Sequence, residues 1–318
     1  MRRRRFVRGE CNHVYQRTVE GVNIFYDRED FLVCFMVFST IARKHKVRVL
    51  EMCLMVDHIH ILVEAESCEA LASFIRDYSS VFAQEYNRYM KRTGQLFHKS
   101  FGSAPKKGDK KTRSAIVYIG NNPVEKKLCV YPEEYRWNFM AYMGNPHPYS
   151  EKPDFRNMSR PLKRALGVVK AASESNRYLS YCSLVRFMKP LRGNELEYFT
   201  DYVISSYLPF DKDALLEYYE DFDQMLLAMK SSTGSDYDIR ERFYPGSDQI
   251  YFRMTAMIEE KLNISPVRTV TVMRQSEKLK LASELRKMMP EVTEYHLKKF
   301  LHLKKGDAYG LDNKDFRG

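Results

Sequence analysis

The chain has 318 residues, 44% of them hydrophobic, with a formal net charge of +11 and a sequence pI of about 9.2. That length accommodates two domains or three short modules around a sizeable core, and the basic balance favours a polyanionic partner such as nucleic acid. No run approaches the roughly 18 apolar residues needed to cross a bilayer, so no membrane association is expected. The arginine-rich start Met1-Arg2-Arg3-Arg4-Arg5 leads into no apolar stretch, unlike a secretory signal. The cysteines at 11, 34, 53, 68, 129 and 182 form no Cys-x-x-Cys pair, which speaks against a zinc ribbon or a disulfide framework and for a reduced, cytoplasmic chain.

In chain order, residues 11–18 have the character of a first strand. Asp27 is placed to cap a helix running to about residue 45, with Phe31, Phe35 and Phe38 at helical spacing. Residues 47–55 and 58–64 read as strands joined tightly near Val56-Asp57. In the second of these, His58 and His60 alternate with Ile59, Ile61 and Val63. Successive strand side chains point to opposite faces, so both imidazoles face one way and the apolar residues the other. Two imidazoles on one face form half of a metal site. Ser67 opens a helix with Leu71, Phe74, Ile75, Tyr78, Phe82 and Tyr86 on one side. A turn at Gly94 precedes a strand over 96–104, and a helix follows over 111–121. On that helix Tyr118 shares a face with Asn122, four residues on. Two histidines on a strand, with a tyrosine and an amide oxygen on a helix, suggest phosphodiester cleavage by tyrosine attack. The element order predicts an α+β fold, an antiparallel sheet with helices on one face.

Residues 144–161 hold Gly144, Pro146, Pro148, Pro153 and Pro161 and read as a linker after a first domain of residues 1–143. Residues 162–250 are mostly helical, with an acidic stretch over 211–223 and a loop over 234–246; their composition assigns them no role. Residues 251–318 form a basic helical module, in which 261–305 carry eleven Lys or Arg against four Glu. Helical patterning over 277–288, a break at Pro290 and a second helix over 293–303 have the layout of a helix-turn-helix.

Several blocks together resemble a known family, the single-tyrosine transposases of small bacterial insertion sequences, whose signature is a His-hydrophobic-His strand. The likeness is strongest to their REP-associated branch. It rests on His58-Ile59-His60, on Tyr118 through Val124 (Tyr-Ile-x-x-Asn-Pro-Val), and on Leu96-Phe97-His98-Lys99-Ser100-Phe101. Glu133-Glu134-Tyr135-Arg136-Trp137 and the opening strand Asn12-His13-Val14-Tyr15-Gln16-Arg17 also take part. It covers residues 8 to 143. One departure is Val56-Asp57, where the family usually has Pro-Asn; it places an acidic side chain beside the histidines.

The resemblance implies a ferredoxin-like core and a metal-dependent DNA transesterase. Tyr118 would be the nucleophile, forming a 5′-phosphotyrosine bond, and His58, His60 and Asn122 would be the metal ligands. The ion would be Mg²⁺ or Mn²⁺, with no nucleotide cofactor. The partner would be hairpin-forming single-stranded DNA, such as repetitive palindromic elements in a bacterial nucleoid, met by a monomer or a homodimer. Asn121 could replace Asn122, while Gln16 and His98 are polar neighbours for which a structural role is expected. Candidate DNA contacts are Arg17, the basic run Lys99, Lys106, Lys107, Lys110, Lys111 and Arg113 leading into the tyrosine helix, and Lys298 and Lys299 on the last predicted helix. Arg2 to Arg5 could form an arm reaching into a groove. Lys298 and Lys299 have an alternative setting, in which that helix is amphipathic and packs on the catalytic domain. Two other functions compete: a domesticated DNA-binding protein that keeps the fold without cutting, and an unrelated hydrolase using His58 and His60.

Overall fold

A computed structural model of the chain describes residues 6–154, 156–231 and 247–303. The arginines at 2–5, the tail from residue 304 and the whole of the loop expected over 234–246 lie outside the described residues.

The first elements are β1 (Cys11–Arg17), α1 (Arg28–His45), β2 (Arg48–Leu54), β3 (His58–Glu64), α2 (Cys68–Met90), β4 (Gly102–Lys106) and α3 (Gly108–Glu125). The four strands form one antiparallel sheet in the order β2-β3-β1-β4, the ferredoxin-like arrangement expected. Helices α1 and α2 cover one face. There Val14, Ile59 and Ile61 are fully buried, and Gln16 donates to Ser79 Oγ at 2.7 Å and accepts from the Tyr78 hydroxyl of α2. Gln16 is therefore structural. Helix α3 crosses the opposite face, which carries the histidines.

Two boundaries differ from expectation. Strand β4 begins at Gly102, not at residue 96. Leu96 and Phe97 are buried in the core, and Phe97 meets β1 only in an isolated bridge to Thr18. Continuous pairing therefore starts after them, and Pro105 is tolerated because β4 is an edge strand. Helix α3 extends to Glu125 through Pro123. Proline lies in its last turn, where only one helical bond is forgone, so Asn122 stays helical although it precedes a proline.

The chain continues through α4 (Ala141–Gly144), α5 (Arg160–Glu174), α6 (Tyr181–Met188), α7 (Gly193–Tyr207), α8 (Lys212–Leu216) and α9 (Phe222–Ser231). These share one hydrophobic core with the sheet domain. Segment 144–154 is packed rather than free, because Tyr149 N and Ser150 Oγ donate to the buried Asp201 carboxylate at 3.1 and 2.7 Å and His147 stacks on Tyr198. The β2 edge is covered by the segment before α8, where Asp211 N donates to Val49 O at 2.8 Å, a protection that exposed sheet edges require. Helix α9 docks on α3, with Met229 over Gly120 and Asn121 Nδ2 donating to Met229 O at 2.6 Å.

Helices α10 (Gln249–Leu262), α11 (Gln275–Met288) and α12 (Glu294–Leu301) surround a second core that takes in Tyr26 and Val56 from the sheet domain. Its strongest polar anchor is Arg268, whose side chain is 1% exposed. Its guanidinium donates to Asp30 at 2.7 Å and Glu29 at 3.1 Å, beside the stacked rings of Tyr89 and Tyr181, each 5.4 Å away. Asp27, at the start of α1, accepts from the backbone of Val267 and Arg268. Removing one partner of such a cluster strands buried charge. Replacing Arg268 with Met is expected to lower unfolding free energy by about 3–5 kcal/mol, read from denaturant titration; a loss below about 1 kcal/mol would mean that the cluster does not hold the module.

Candidate active site

The site follows from the pairing of β1 with β3. In that register Tyr15 lies opposite His60 and Arg17 opposite His58. Directly paired residues share a face, so His13, Tyr15 and Arg17 line up beside His58 and His60. Helix α3 brings Tyr118 over this row, its ring centroid 5.4 Å from that of His60 and 5.5 Å from that of His13. One turn later Asn122 Nδ2 lies 3.2 Å from His60 Nε2. The sheet face and the helix thus bring together Tyr118, His58, His60, Asn122 and Arg17. All of them except Arg17, which is half-buried, are buried.

The hydrogen bonds fix the histidine tautomers. Asp57 Oδ1 is 2.6 Å from His58 Nδ1. Burial by itself would raise the Asp57 carboxyl, but Lys299 and His58 outweigh it and hold the carboxyl below the usual range. An ionised carboxylate only accepts, so His58 carries a proton on Nδ1. His60 accepts from Asn122 at Nε2, so its Nδ1 donates to His13 Nε2, 2.9 Å away. Both histidines therefore have Nδ1 anchored, the arrangement of orienting partners that histidine ligands need.

Among the described residues no cluster of three or more His, Cys, Asp or Glu is arranged to hold a metal, which leaves oxygen donors of other kinds to complete a site built on two imidazoles. Asn122 Oδ1 is buried and accepts no hydrogen bond among the described residues. An orphaned oxygen beside two oriented imidazoles fits a divalent cation that accepts mixed nitrogen and oxygen donors. Asn121 is committed to α9. Glu51 lies on the same sheet face under Gly120, where burial pushes its carboxyl well above the ordinary range.

The family comparison agrees with this geometry. Residues 13–122 match the family described as "Transposase IS200 like". The match spans about a third of the chain, and over it the segment is similar to IS200-like transposases. A solved structure of a REP-associated tyrosine transposase bound to a REP hairpin is similar at 13% identity, covering 50% of this chain and 94% of that one with a TM-score of 0.39. No curated protein matches the chain. No described helix is long and apolar enough to cross a membrane.

The expected DNA contacts divide. Lys99, Lys107, Lys110, Lys111 and Arg113 are exposed, the last four at the start of α3 ahead of Tyr118. Lys106 is 5% exposed and is not placed to meet a phosphate. Lys298 is half-buried and pairs with Glu294 one turn back. Lys299 is corrected outright: α12 is amphipathic and turns this side chain inward, where it is 8% exposed and bridges Asp57 at 3.2 Å and Asp248 at 3.8 Å. Burial opposes its charge, but the two carboxylates outweigh that and raise its pKa. His98 is exposed on the loop before β4.

Sequence reasoning missed His13 as the partner of His60. The signal was available, since His13, Tyr15 and Arg17 alternate like His58 and His60, but only the strand register shows that the two rows meet. Replacing His13 with Phe should keep the fold and weaken Mn²⁺ binding about tenfold, measured by calorimetric titration; unchanged affinity would mean that His13 does not orient His60.

Proposed function

We propose that this protein is a single-strand DNA transesterase that cleaves and rejoins DNA through a covalent bond to Tyr118. The observation that carries this reading is the convergence of Tyr118, His58, His60 and Asn122 on one sheet face. Other described tyrosines, such as Tyr78, Tyr86, Tyr142 and Tyr207, are buried in the core.

The chemistry is an exchange of one phosphodiester for another. The Tyr118 oxygen forms a bond to phosphorus, the bond to the 3′ oxygen breaks, and that oxygen leaves as a hydroxyl. The proton lost by the phenol balances the one gained by the leaving group. The new 5′-phosphotyrosine bond retains the ester energy, so a later 3′-hydroxyl can reverse the step without a nucleotide cofactor. His58, His60 and Asn122 would hold a divalent ion, Mg²⁺ or Mn²⁺ by analogy with the family, which would supply Lewis acidity toward the phosphate. Arg17 lies at the end of the same row, paired with His58, and would add positive charge to this side of the site. Tyr15 and Tyr118 flank the histidine row and bound the site on either side.

Substrate approach follows from charge. Lys107, Lys110, Lys111 and Arg113 form an exposed basic ramp on the first turns of α3 that can draw a strand toward Tyr118. The sequence likeness to the REP-associated branch makes hairpin-forming single-stranded DNA the substrate class.

The test is incubation with Mn²⁺ and labelled hairpin DNA from beside the gene, followed by a denaturing gel. A metal-dependent adduct is expected that is lost in Tyr118→Phe, with hairpin affinity changed less than about twofold, because the phenylalanine keeps the ring packing. Cleavage at the normal rate by the variant would falsify Tyr118 as nucleophile, and tight binding with no adduct from the wild type would favour a non-cleaving DNA-binding protein. In the same assay series, Lys110→Gln with Lys111→Gln should reduce the slope of log affinity against log salt by about two; an unaltered slope would take these lysines off the DNA path.

A further inference from the structure

The C-terminal module reaches into the site through one side chain. Lys299 of α12 places Nζ 3.2 Å from Asp57 Oδ2, while the other carboxylate oxygen, Oδ1, is 2.6 Å from His58 Nδ1. The two oxygens of Asp57 are thus divided between a lysine from the far end of the chain and a histidine of the sheet. Both side chains of the ion pair are almost fully removed from water, at 8% and 5% exposure. The lysine is fixed from several sides. It lies 3.8 Å from Asp248 and 4.6 Å from the centre of the Tyr251 ring, and its own carbonyl accepts from Asn23 N at 3.1 Å. Asp248 is tied in turn to the end of the tyrosine helix, its N donating to Lys126 O at 3.1 Å. The Asp57 carbonyl accepts from Thr18 N at 2.9 Å, just beyond Arg17 on β1.

We infer that Lys299 is a positioning residue for the metal site, acting through Asp57 to orient His58; this rests on the transesterase reading given above. A buried carboxylate next to two imidazoles is costly without a counter-charge, and it could rotate away from His58 if nothing held its second oxygen. Lys299 supplies both the charge and the hold. It touches neither substrate nor the reacting atoms. The consequence is that the sheet domain alone does not carry a complete site, because the outer support of one ligand comes from a helix near residue 300. Partners of this kind around metal-binding histidines change metal affinity about 10- to 100-fold when removed.

The alternative is that Lys299 only glues α12 to the sheet. A mutant cycle on the full-length chain separates the two, with Mn²⁺ alone as the probe and calorimetric titration and denaturant unfolding as readouts. The proteins are wild type, Lys299→Met, Asp57→Asn and the double variant. In Asp57→Asn the amide oxygen can still accept from His58, but the neutral side chain no longer needs a cation. The expected result is Mn²⁺ affinity about tenfold lower in Lys299→Met, and no further loss when Lys299→Met is added to Asp57→Asn, because the lysine works only through the carboxylate. Equal affinity in wild type and Lys299→Met would overturn the inference, as would losses that multiply in the double variant. Should Lys299→Met fail to fold, Lys299→Gln takes its place in the cycle: Mn²⁺ affinity below that of the wild type supports the inference, and equal affinity overturns it. A wild-type protein that binds no Mn²⁺ would instead remove the metal reading beneath it, a result distinct from any difference among variants.

Discussion

The β1–β3 ladder is the constraint on which the rest depends. Its register sets Arg17 against His58 and Tyr15 against His60, with Gln16 paired to Ile59 on the reverse side. A slip of β3 by one residue would turn His58 and His60 into the core and bring Ile59 and Ile61 under α3. The apolar residues that α1 and α2 bury therefore also fix which side chains reach the site. Packing and chemistry are specified by the same alternation.

A second theme is the use of buried charge where the chain's two ends meet. Arg268 joins the C-terminal module to the start of α1, and Lys299 joins it to the loop between β2 and β3. Buried ion pairs contribute little net stability compared with apolar packing, yet breaking one is costly. They select one docking geometry over neighbouring ones that apolar surfaces alone would tolerate. The departure from the family's usual Pro-Asn at Val56-Asp57 fits here. The extra negative charge is matched by a lysine that this chain supplies from α12.

Helix α3 connects the ramp of exposed basic residues to a buried tyrosine. Its first turns face solvent and its middle lies between the sheet and α9. Gly120 leaves room for this second contact, since a Cβ there would come within 2.7 Å of Met229. The same helix thus exposes basic residues at one end and is clamped from both sides around Tyr118.

Local patterns determined a large part of this protein. The His-x-His alternation, the four-residue step from Tyr118 to Asn122 and the succession of strand and helix periods are set within single elements, where side-chain direction follows from backbone geometry. The family likeness of residues 8–143 rests on the same local blocks. What tertiary structure decided lies between elements. His13 became the partner of His60 through strand register. Lys299, which reads in sequence as half of a basic pair on a DNA helix, was turned inward because α12 buries Leu297, Phe300 and Leu301 on the same side. The proline-rich segment after residue 143 packs on α7, because its backbone and serine donors meet the Asp201 carboxylate. Sequence periodicity fixes which face a residue occupies, but the partner of that face is chosen by long-range burial and charge compensation, which no local window contains.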